Sequence, residues 1–409
     1  MTLRWGIVTA GKISNDFVNA FNSYPMMGDQ KIEAIAARNK NSAAEFAITH
    51  SIPKVYDSYQ TMAICKDIDV VYIGALNPYH YELTKLFLEN GKHVLCEKPL
   101  CMNQKQVASL LNLAKKKKLF LMEGVWSRFS PAYIDMEKEI ESGKIGDLMF
   151  LEVNLGIFSD ADRISKKEYG GSAVLDVGIY VLQIAQYIFK EDPIKVTAVG
   201  TLNEHGVDVS ETIILDYGDG RRAVLNTHTQ QQLWNRATVY GTKGRITHPF
   251  HFPTKMISSD GTVKKYELHT SEYPYNFENS AGLVYEALEV ARCIKAGKYI
   301  IILLVKTVLS RYNLTTKLAN WYRLHAPANL LKLFVQTHLI SLVQILFIKN
   351  FKFAQKLLVS RCKQDAVAHN FEYEGLSNVC QQHKRRNNKK VSVLSKFSVN
   401  PSTLWLLWC

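Results

Sequence analysis

Apolar and polar positions in the first 125 residues follow an order typical of alternating strands and helices. An apolar run at residues 3–8 predicts a first strand, and Ser14 is the candidate N-cap of a helix that continues to about Tyr24. A second apolar run, residues 31–37, predicts a second strand. Because strands that alternate with helices pair in parallel, this part of the chain is predicted to form an α/β sheet.

The same order continues towards residue 100. Residues 70–74 read as a strand, residues 81–90 as a helix closed by Gly91, and residues 93–96 as another short strand. Glu97, Lys98 and Pro99 follow directly. Pro99 pushes Lys98 into an extended conformation, so this lysine is held at the carboxyl end of a strand, where parallel sheets bind ligands. The context disfavours the competing interpretation, a solvated surface lysine.

The turn after the first strand, Thr9-Ala10-Gly11-Lys12-Ile13-Ser14, is the candidate dinucleotide site. It retains one of the three glycines of the usual fingerprint. Gly11 permits close backbone approach, and the helix start offers unpaired N–H groups and a positive dipole end to a pyrophosphate. Gly11 and Ile13 are therefore candidate cofactor contacts, and a plain strand-to-helix turn is the alternative.

Arg38 stands where an acidic residue would bind the ribose of NAD, at the end of the second predicted strand. A guanidinium can hold a 2′-phosphate through a charge-assisted fork. The residue therefore favours NADP over NAD, with a solvated surface arginine as the competing interpretation.

The second half of the chain changes to a period of two. Residues 195–202, 211–217, 223–230 and 236–240 alternate apolar and polar positions and predict antiparallel strands with one face covered. Before them, Asp176 and Tyr180 lie four residues apart in a predicted helix start and would share one helical face. Trp126, just after another apolar run, is a candidate flat wall for a ring-shaped substrate.

Four ordered segments, NPYHYELTKLFLENGKHVLCEKPL, LFLMEGVWSRFSP, GGSAVLDVGIY and TVYGTKG, resemble the Gfo/Idh/MocA oxidoreductase family. The likeness runs from residue 3 to about residue 298. It implies an α/β fold: an N-terminal Rossmann domain at residues 1–124, and a C-terminal α/β domain with an open, mainly antiparallel sheet at residues 125–298. Residues 299–409 depart from the family pattern.

The resemblance also implies roles for individual residues. Tyr180 would be the proton acceptor, Lys98 would stabilise its phenolate, and Asp176 would orient substrate or cofactor. Free tyrosine has a pKa of about 10, so such a partner is required near neutrality. The implied cofactor contacts are Gly11, Ile13, Arg38, Tyr72, His80, Glu97, Lys98 and Asp176, and the implied substrate contacts are Trp126 and Tyr180. His80 has a competing interpretation as a packed loop histidine.

Many family members carry histidine where this chain has Tyr180, and those that oxidise trans-dihydrodiols carry tyrosine. The implied reaction is therefore NADP-dependent oxidation of cyclic trans-dihydrodiols to catechols, of D-xylose to its lactone, or of both. A homodimer formed through the open sheet face is also implied. The alternatives are a non-catalytic NADP-binding sensor or scaffold and an inactive, truncated pseudoenzyme.

The net charge of +13 lies entirely in residues 299–409, which hold 16 Lys and Arg against 3 Asp and Glu. Of two interpretations, a genuine basic extension that binds a membrane surface or an acidic partner and a non-native tail from a mis-joined gene, we favour the second. The longest apolar stretch there, residues 333–348, falls short of the roughly 20 residues of a bilayer span. The basic run at residues 383–390 is interpreted as a solvated loop, so neither a membrane span nor nucleic-acid binding is predicted.

Met1 leads directly into the first strand and leaves no room for a cleavable signal peptide, so the cytosol is the expected compartment. The cysteines lack metal-ligand spacing, and we expect reduced thiols and no metal. The seven cysteines are Cys65, Cys96, Cys101, Cys293, Cys362, Cys380 and Cys409.

Overall fold

Two β-sheets organise the protein. The structure, a computed structural model, describes residues 2–250 and 252–297. Within these residues a six-stranded parallel sheet precedes an eight-stranded, mainly antiparallel one. The predicted fold, a Rossmann domain followed by an α/β domain with an antiparallel sheet, is confirmed. The division at residues 124 and 298 stays a prediction, and the tail predicted for residues 299–409 lies outside the described residues.

The first sheet has the strand order β3-β2-β1-β4-β5-β6. Its strands are β1 (Leu3–Val8), β2 (Gln30–Ala36), β3 (Lys54–Tyr56), β4 (Val70–Ile73), β5 (His93–Glu97) and β6 (Leu121–Gly124). Its helices are α1 (Lys12–Ser23), α2 (Lys40–Thr49), α3 (Tyr59–Ala63), α4 (His80–Glu89) and α5 (Gln104–Lys117), with a 3₁₀ turn at Asn77–Tyr79. Every residue of β4 is buried, as expected of a central strand covered on both faces.

The predicted elements of this sheet are present, with one error in capping. Helix α1 begins at Lys12, and its N-cap is Gly11 rather than Ser14. Ser14 is buried in the first turn, where its Oγ lies 3.3 Å from Thr9 Oγ1. Strand β5 extends one residue further than predicted, which makes Glu97 its last residue and leaves Lys98 directly beyond the sheet.

The second sheet has the order β14-β13-β12-β11-β7-β10-β9-β8. Among the described strands of this second sheet, β10 and β7 pair in parallel and all other neighbours pair antiparallel. Its strands are β7 (Leu148–Gly156), β8 (Lys195–Leu202), β9 (Asp208–Gly218), β10 (Arg221–His228), β11 (Arg236–Gly241), β12 (Arg245–Pro249), β13 (Lys255–Ile257) and β14 (Val263–Lys265). The strict alternation of buried and accessible residues along β9 matches the predicted period of two.

The helices of this second part are α6 (Pro131–Glu141), α7 (Asp162–Ser165), α8 (Ile179–Phe189) and α9 (Val284–Lys295). Short 3₁₀ turns lie at Trp126–Phe129, Lys167–Tyr169 and Ser280–Leu283. The stretch Lys167–Phe189 is long and apolar enough to cross a bilayer by length and composition alone, but 89% of its apolar window is buried. It packs as a core element beneath the second sheet.

Asp176 and Tyr180 do not share one regular α-helix, contrary to the prediction. Val174–Gly178 forms a π-helical turn, and α8 begins only at Ile179. The wide turn is anchored by Asp208, whose Oδ2 accepts hydrogen bonds from Ser172 Oγ at 2.9 Å and from the Val174 N–H at 2.8 Å. π-turns of this kind occur frequently at functional sites.

Residues 274–277 return from the second sheet to the first helix of the chain. Asp16 on α1 is fully buried and accepts hydrogen bonds from the Asn276 N–H at 2.8 Å, the Asn276 side-chain amide at 2.7 Å and the Phe277 N–H at 2.9 Å. This carboxylate therefore ties the segment before α9 to the dinucleotide-type sheet.

We predict that Asp16→Ala lowers the free energy of unfolding by about 2–4 kcal/mol, because it removes the buried carboxylate that accepts three hydrogen bonds from residues 276 and 277. Urea unfolding of the full chain measures this. The control Glu45→Ala, at an exposed position on α2, should stay within about 0.5 kcal/mol of wild type. An Asp16→Ala protein as stable as the control would contradict the assignment.

Candidate active site

The carboxyl ends of β1 and β4 meet at the point where the strand order of the first sheet reverses, the usual ligand-binding crevice of such sheets. Thr9 follows β1 with a φ of 84°, and its Oγ1 donates to the carbonyl of Gly74, just beyond β4, at 2.8 Å. A Cβ on Gly74 would lie 2.5 Å from Ser14 Oγ. Glycine is required there because the two loops approach so closely.

The start of α1 fits a dinucleotide pyrophosphate. Its N-cap, Gly11, has no side chain to bond the first amides of the helix, and a Cβ there would lie no closer than 3.8 Å to a neighbouring atom. The first-turn N–H groups and the helix dipole are thus available to an anion. Ile13, the other predicted contact in this turn, packs partly buried against the core.

Arg38 lies exposed two residues beyond β2, at the same edge of the sheet. Its guanidinium carbon lies 5.5 Å from the ring centroid of Tyr79, close enough for a cation–π contact. The position next to the dinucleotide crevice agrees with the predicted role towards a 2′-phosphate, which itself stays a prediction.

Tyr72 and Glu97 form a buried pair behind the crevice. The Tyr72 hydroxyl donates to Glu97 Oε1 at 2.7 Å, and its ring stacks on Phe17 at 3.8 Å. The Lys98 N–H donates to the other carboxylate oxygen of Glu97 at 3.2 Å. Burial raises the pKa of Glu97, and these hydrogen bonds oppose the shift. Tyr72 is fully buried, so it reaches the site through Glu97.

His80 is a packed histidine in this structure. Its side chain is fully buried, with Nδ1 at 2.7 Å from the carbonyl of Pro99 and Nε2 at 2.8 Å from the carbonyl of Ala75. Burial lowers the pKa of His80. The ring joins the loop after β4 to the Lys98-Pro99 turn, which matches the structural interpretation of this residue. A direct cofactor contact stays a prediction.

Lys98 and Asp176 are in direct contact. Lys98 Nζ donates to the backbone carbonyl of Asp176 at 2.8 Å and to its Oδ1 at 3.1 Å. Arg163 Nη1 also donates to Asp176 Oδ1, at 3.0 Å. Burial would raise the pKa of Asp176, but the two cations outweigh it and hold that pKa below its usual value. Arg163 was missed by sequence reasoning, because no spacing rule relates residue 163 to residue 176.

Tyr180 lies over Lys98 and receives a hydrogen bond from Trp126. The Lys98 ammonium is 5.1 Å from the centroid of the Tyr180 ring, and Trp126 Nε1 donates to the Tyr180 hydroxyl oxygen at 2.9 Å. Burial raises the pKa of Tyr180 well above 10, Glu97 adds to the rise, and the Trp126 N–H opposes it. Lys98 thus faces the ring, and the donor found at the phenol oxygen is Trp126.

Trp126 is itself fixed by packing. It is 5% exposed, and its ring stacks on Phe252 at 4.4 Å with an interplanar angle of 16°. A Cβ on Gly282 would lie 2.1 Å from the Phe252 ring, so glycine is required behind this stack. One face of the indole is therefore occupied by Phe252, which the sequence did not indicate. The role of Trp126 as a wall for substrate stays a prediction.

The arrangement is suited to proton transfer next to a dinucleotide. A phenol, an ammonium and a carboxylate converge at the carboxyl end of β5, one strand from the crevice between β1 and β4. Within the described residues, no group of three or more His, Cys, Asp or Glu side chains is placed to hold a metal ion, and the four cysteines there form no disulfide bond.

Family comparison agrees with this geometry. Residues 3–125 match the oxidoreductase family with an NAD-binding Rossmann fold, and residues 133–247 match the GFO/IDH/MocA C-terminal domain. The protein belongs to the Gfo/Idh/MocA oxidoreductases, as the sequence segments predicted.

Two relatives that share one protein name are similar to this chain. The chain is 43% identical over 301 residues to trans-1,2-dihydrobenzene-1,2-diol dehydrogenase of Xenopus tropicalis, covering 73% of this chain and 91% of the relative. The human protein of the same name is 36% identical over 301 residues, with coverage of 73% and 90%.

Solved structures share the fold. The aldose-aldose oxidoreductase of Caulobacter crescentus superposes with a TM-score of 0.68 at 21% identity, covering 79% of this chain and 98% of that one. The 3-ketoreductase KijD10 of Actinomadura kijaniata, in complex with NADP and TDP-benzene, gives 0.64 at 20% identity, with coverage of 76% and 95%. At such identities the likeness concerns the fold alone.

We predict that Trp126→Phe lowers kcat about tenfold, because one hydrogen bond to a developing phenolate is worth about 1–1.5 kcal/mol. The phenyl ring keeps the stack on Phe252, so stability should change little. Steady-state dehydrogenase kinetics and thermal unfolding measure the two effects.

The matched control is Trp5→Phe. Trp5 also loses an indole hydrogen bond, to Gln30 Oε1 at 3.0 Å, but it is buried in the core of the first sheet. Its substitution should lower stability and leave kcat unchanged. Equal kcat values for the two variants would show that the Trp126 N–H has no part in turnover.

Proposed function

We propose that the protein is an NADP-dependent dehydrogenase that oxidises a hydroxyl-bearing ring carbon: a trans-dihydrodiol to a catechol, D-xylose to its lactone, or both. The observation that carries the proposal is the convergence of Lys98, Asp176 and Tyr180 beside the dinucleotide crevice. The relatives named trans-1,2-dihydrobenzene-1,2-diol dehydrogenase support the choice of substrate. Bound NADP⁺ would supply the hydride acceptor.

In this mechanism the chain positions the alcohol and moves its proton. The substrate hydroxyl lies between the Tyr180 phenol and the Lys98 ammonium; as the carbonyl forms, the phenol oxygen accepts the hydroxyl proton while the phenol's own proton passes to solvent. Lys98 stabilises the alkoxide character that develops on the substrate oxygen. Asp176 holds the ammonium in place through its carbonyl and Oδ1, and Trp126 stabilises negative charge on the phenol oxygen.

NADP is proposed over NAD because Arg38 replaces the acid that would bind a ribose hydroxyl. We also infer a homodimer, as the family resemblance implies. Val199 on β8 and Ile214 on β9 are exposed on the outer face of the second sheet, which supports an apolar contact there.

A non-catalytic NADP-binding sensor is the second candidate function. A sensor requires the dinucleotide crevice, but NADP binding alone does not require a buried phenol beside an ammonium and a carboxylate. We therefore rank it below the dehydrogenase. Incubation of the full chain with NADP⁺ and either D-xylose or a trans-dihydrodiol, followed as NADPH formation, distinguishes the two: binding of NADP without turnover of either substrate would favour the sensor.

Tyr180→Phe should lower kcat by about 10²- to 10⁴-fold with either substrate, the usual contribution of a positioned acid–base group. The affinity for NADP should stay unchanged. Tyr187→Phe is the matched control, since its hydroxyl lies on the same helix and donates to Glu137 Oε2 at 2.8 Å. Wild-type turnover in Tyr180→Phe would remove Tyr180 from the mechanism.

Arg38→Ala should weaken NADP binding about 10- to 100-fold, because charge-assisted hydrogen bonds are worth about 1.5–3 kcal/mol. NAD affinity should change much less. Titration of each cofactor by fluorescence gives both constants. The control is Lys40→Ala, at an exposed basic residue nearby, which should affect neither cofactor strongly. Equal losses for NADP and NAD in Arg38→Ala would argue against recognition of the 2′-phosphate.

A further inference from the structure

Glu286, in the first turn of α9, is a fully buried carboxyl group that the mechanism above does not use. Within residues 2–250 and 252–297, neither of its carboxylate oxygens has a hydrogen-bond partner. The carboxyl group lies close to the end of β5, which carries Glu97. A Cβ on Gly124 would be 3.5 Å from Glu286 Oε2 and 3.4 Å from the Glu97 Cα.

Glu97 is the carboxyl group whose charge acts on Glu286. The two carboxyl groups differ in their hydrogen-bond partners. Both oxygens of Glu97 accept hydrogen bonds, one from the Tyr72 hydroxyl and one from the Lys98 N–H. Such acceptance stabilises a carboxylate. Glu286 has no donor of this kind among the described residues, and an unpaired carboxylate in a buried site is far more costly than a neutral acid.

Among the residues that the structure describes, the other ionisable groups around Glu286 supply no counter-charge. Tyr72 on β4 and Tyr180 on α8 are close enough to feel its charge, and both are neutral phenols with raised pKa values. On the adjacent α1, Asp16 binds the backbone of residues 276 and 277. Burial and the charge of Glu97 raise the pKa of Glu286 well above its usual value.

We propose that Glu286 is a positioning residue of this site: it carries the single proton of a buried Glu97–Glu286 acid pair. Glu97 is then the one carboxylate of the pair, and it holds Tyr72 and the Lys98 backbone in place. Loss of the Glu286 proton puts a second negative charge beside Tyr180 and disfavours phenolate character on that residue. The catalytic consequence rests on the proposed dehydrogenase function, whereas the protonation of Glu286 does not.

The chain contains a matched control in Glu139. It is equally buried, but its Oε1 accepts from Ser258 Oγ at 2.8 Å and from Lys264 Nζ at 2.9 Å. Burial raises the pKa of Glu139, but these donors outweigh burial and lower that pKa overall. Glu286→Gln therefore replaces a buried neutral acid, whereas Glu139→Gln replaces a buried carboxylate.

The first test is thermal unfolding of the full-length wild type and both variants between about pH 3 and pH 9, a range that includes the unfolded carboxyl pKa of about 4.3. A raised pKa in the folded state means that wild-type stability falls as pH rises above the unfolded value of about 4.3. Glu286→Gln should thus be at least as stable as wild type, with an advantage that grows with pH. Glu139→Gln should be less stable at neutral pH, and its deficit should shrink as pH falls.

The second test is the pH profile of kcat. Glu286→Gln cannot lose a proton, so its kcat should stay constant at alkaline pH, where the kcat of wild type declines. A purely structural role would shift the melting temperature and leave the shape of the profile unchanged. Superimposable profiles would overturn the catalytic part of the proposal even if the protonation part stands. Absence of any turnover in wild type would instead refute the dehydrogenase and leave the unfolding result valid.

The protonated state of Glu286 would be overturned if Glu286→Gln lost as much thermal stability as Glu139→Gln and regained it as pH falls. Glu286→Leu provides a second neutral variant with the same expected pH trend. If neither variant folds, infrared spectroscopy of a Glu211→Gln protein decides the question, because Glu211 is a second buried acid with a raised pKa and would contribute the same band: the carboxylic acid C=O band of a protonated glutamate is expected at neutral pH, and its absence would overturn the proposal.

Discussion

The contact of Lys98 with Asp176 is the interaction on which the site depends. Lys98 comes from the end of a strand in the first sheet, and Asp176 from the turn that leads into α8 under the second sheet. Asp176 is buried, and a buried carboxylate is strongly destabilising unless cations pair with it, as Lys98 and Arg163 do here. The two sheets are placed so that the Lys98 ammonium and the Asp176 carboxylate meet.

Around this contact the remaining groups act as supports. Glu97 fixes the backbone of Lys98, His80 fixes the carbonyl of Pro99, and Arg163 adds a second cation to Asp176. Trp126 orients the phenol of Tyr180 and is itself held by Phe252. The neighbours of Lys98, Asp176 and Tyr180 thus determine the charge and orientation of these three side chains.

Much of the first sheet could be predicted from the sequence, because apolar runs, the glycine after α4 and the proline after Lys98 are local signals. The location of Lys98 at a strand end followed from the same signals. The capping of α1 by Gly11 rather than Ser14 was not predictable, since it depends on how closely the β1 and β4 loops approach. Arg163, Phe252 and Glu286 were also missed, because their importance comes from contacts with residues distant in sequence.

The π-turn at Val174–Gly178 has a consequence for how this protein can vary in length. A π turn accommodates one residue more than an α turn, so rewinding the same residues as a regular α-helix, without a deletion, would rotate every following position of α8 by about 100°. Helix α8 is buried on nearly all sides, so such a rotation would drive mismatched shapes into the core and carry Tyr180 away from Lys98. The length of the interval between Ser172 and Tyr180 can therefore change only where the winding of this turn changes with it, as when a one-residue deletion closes it to an α turn.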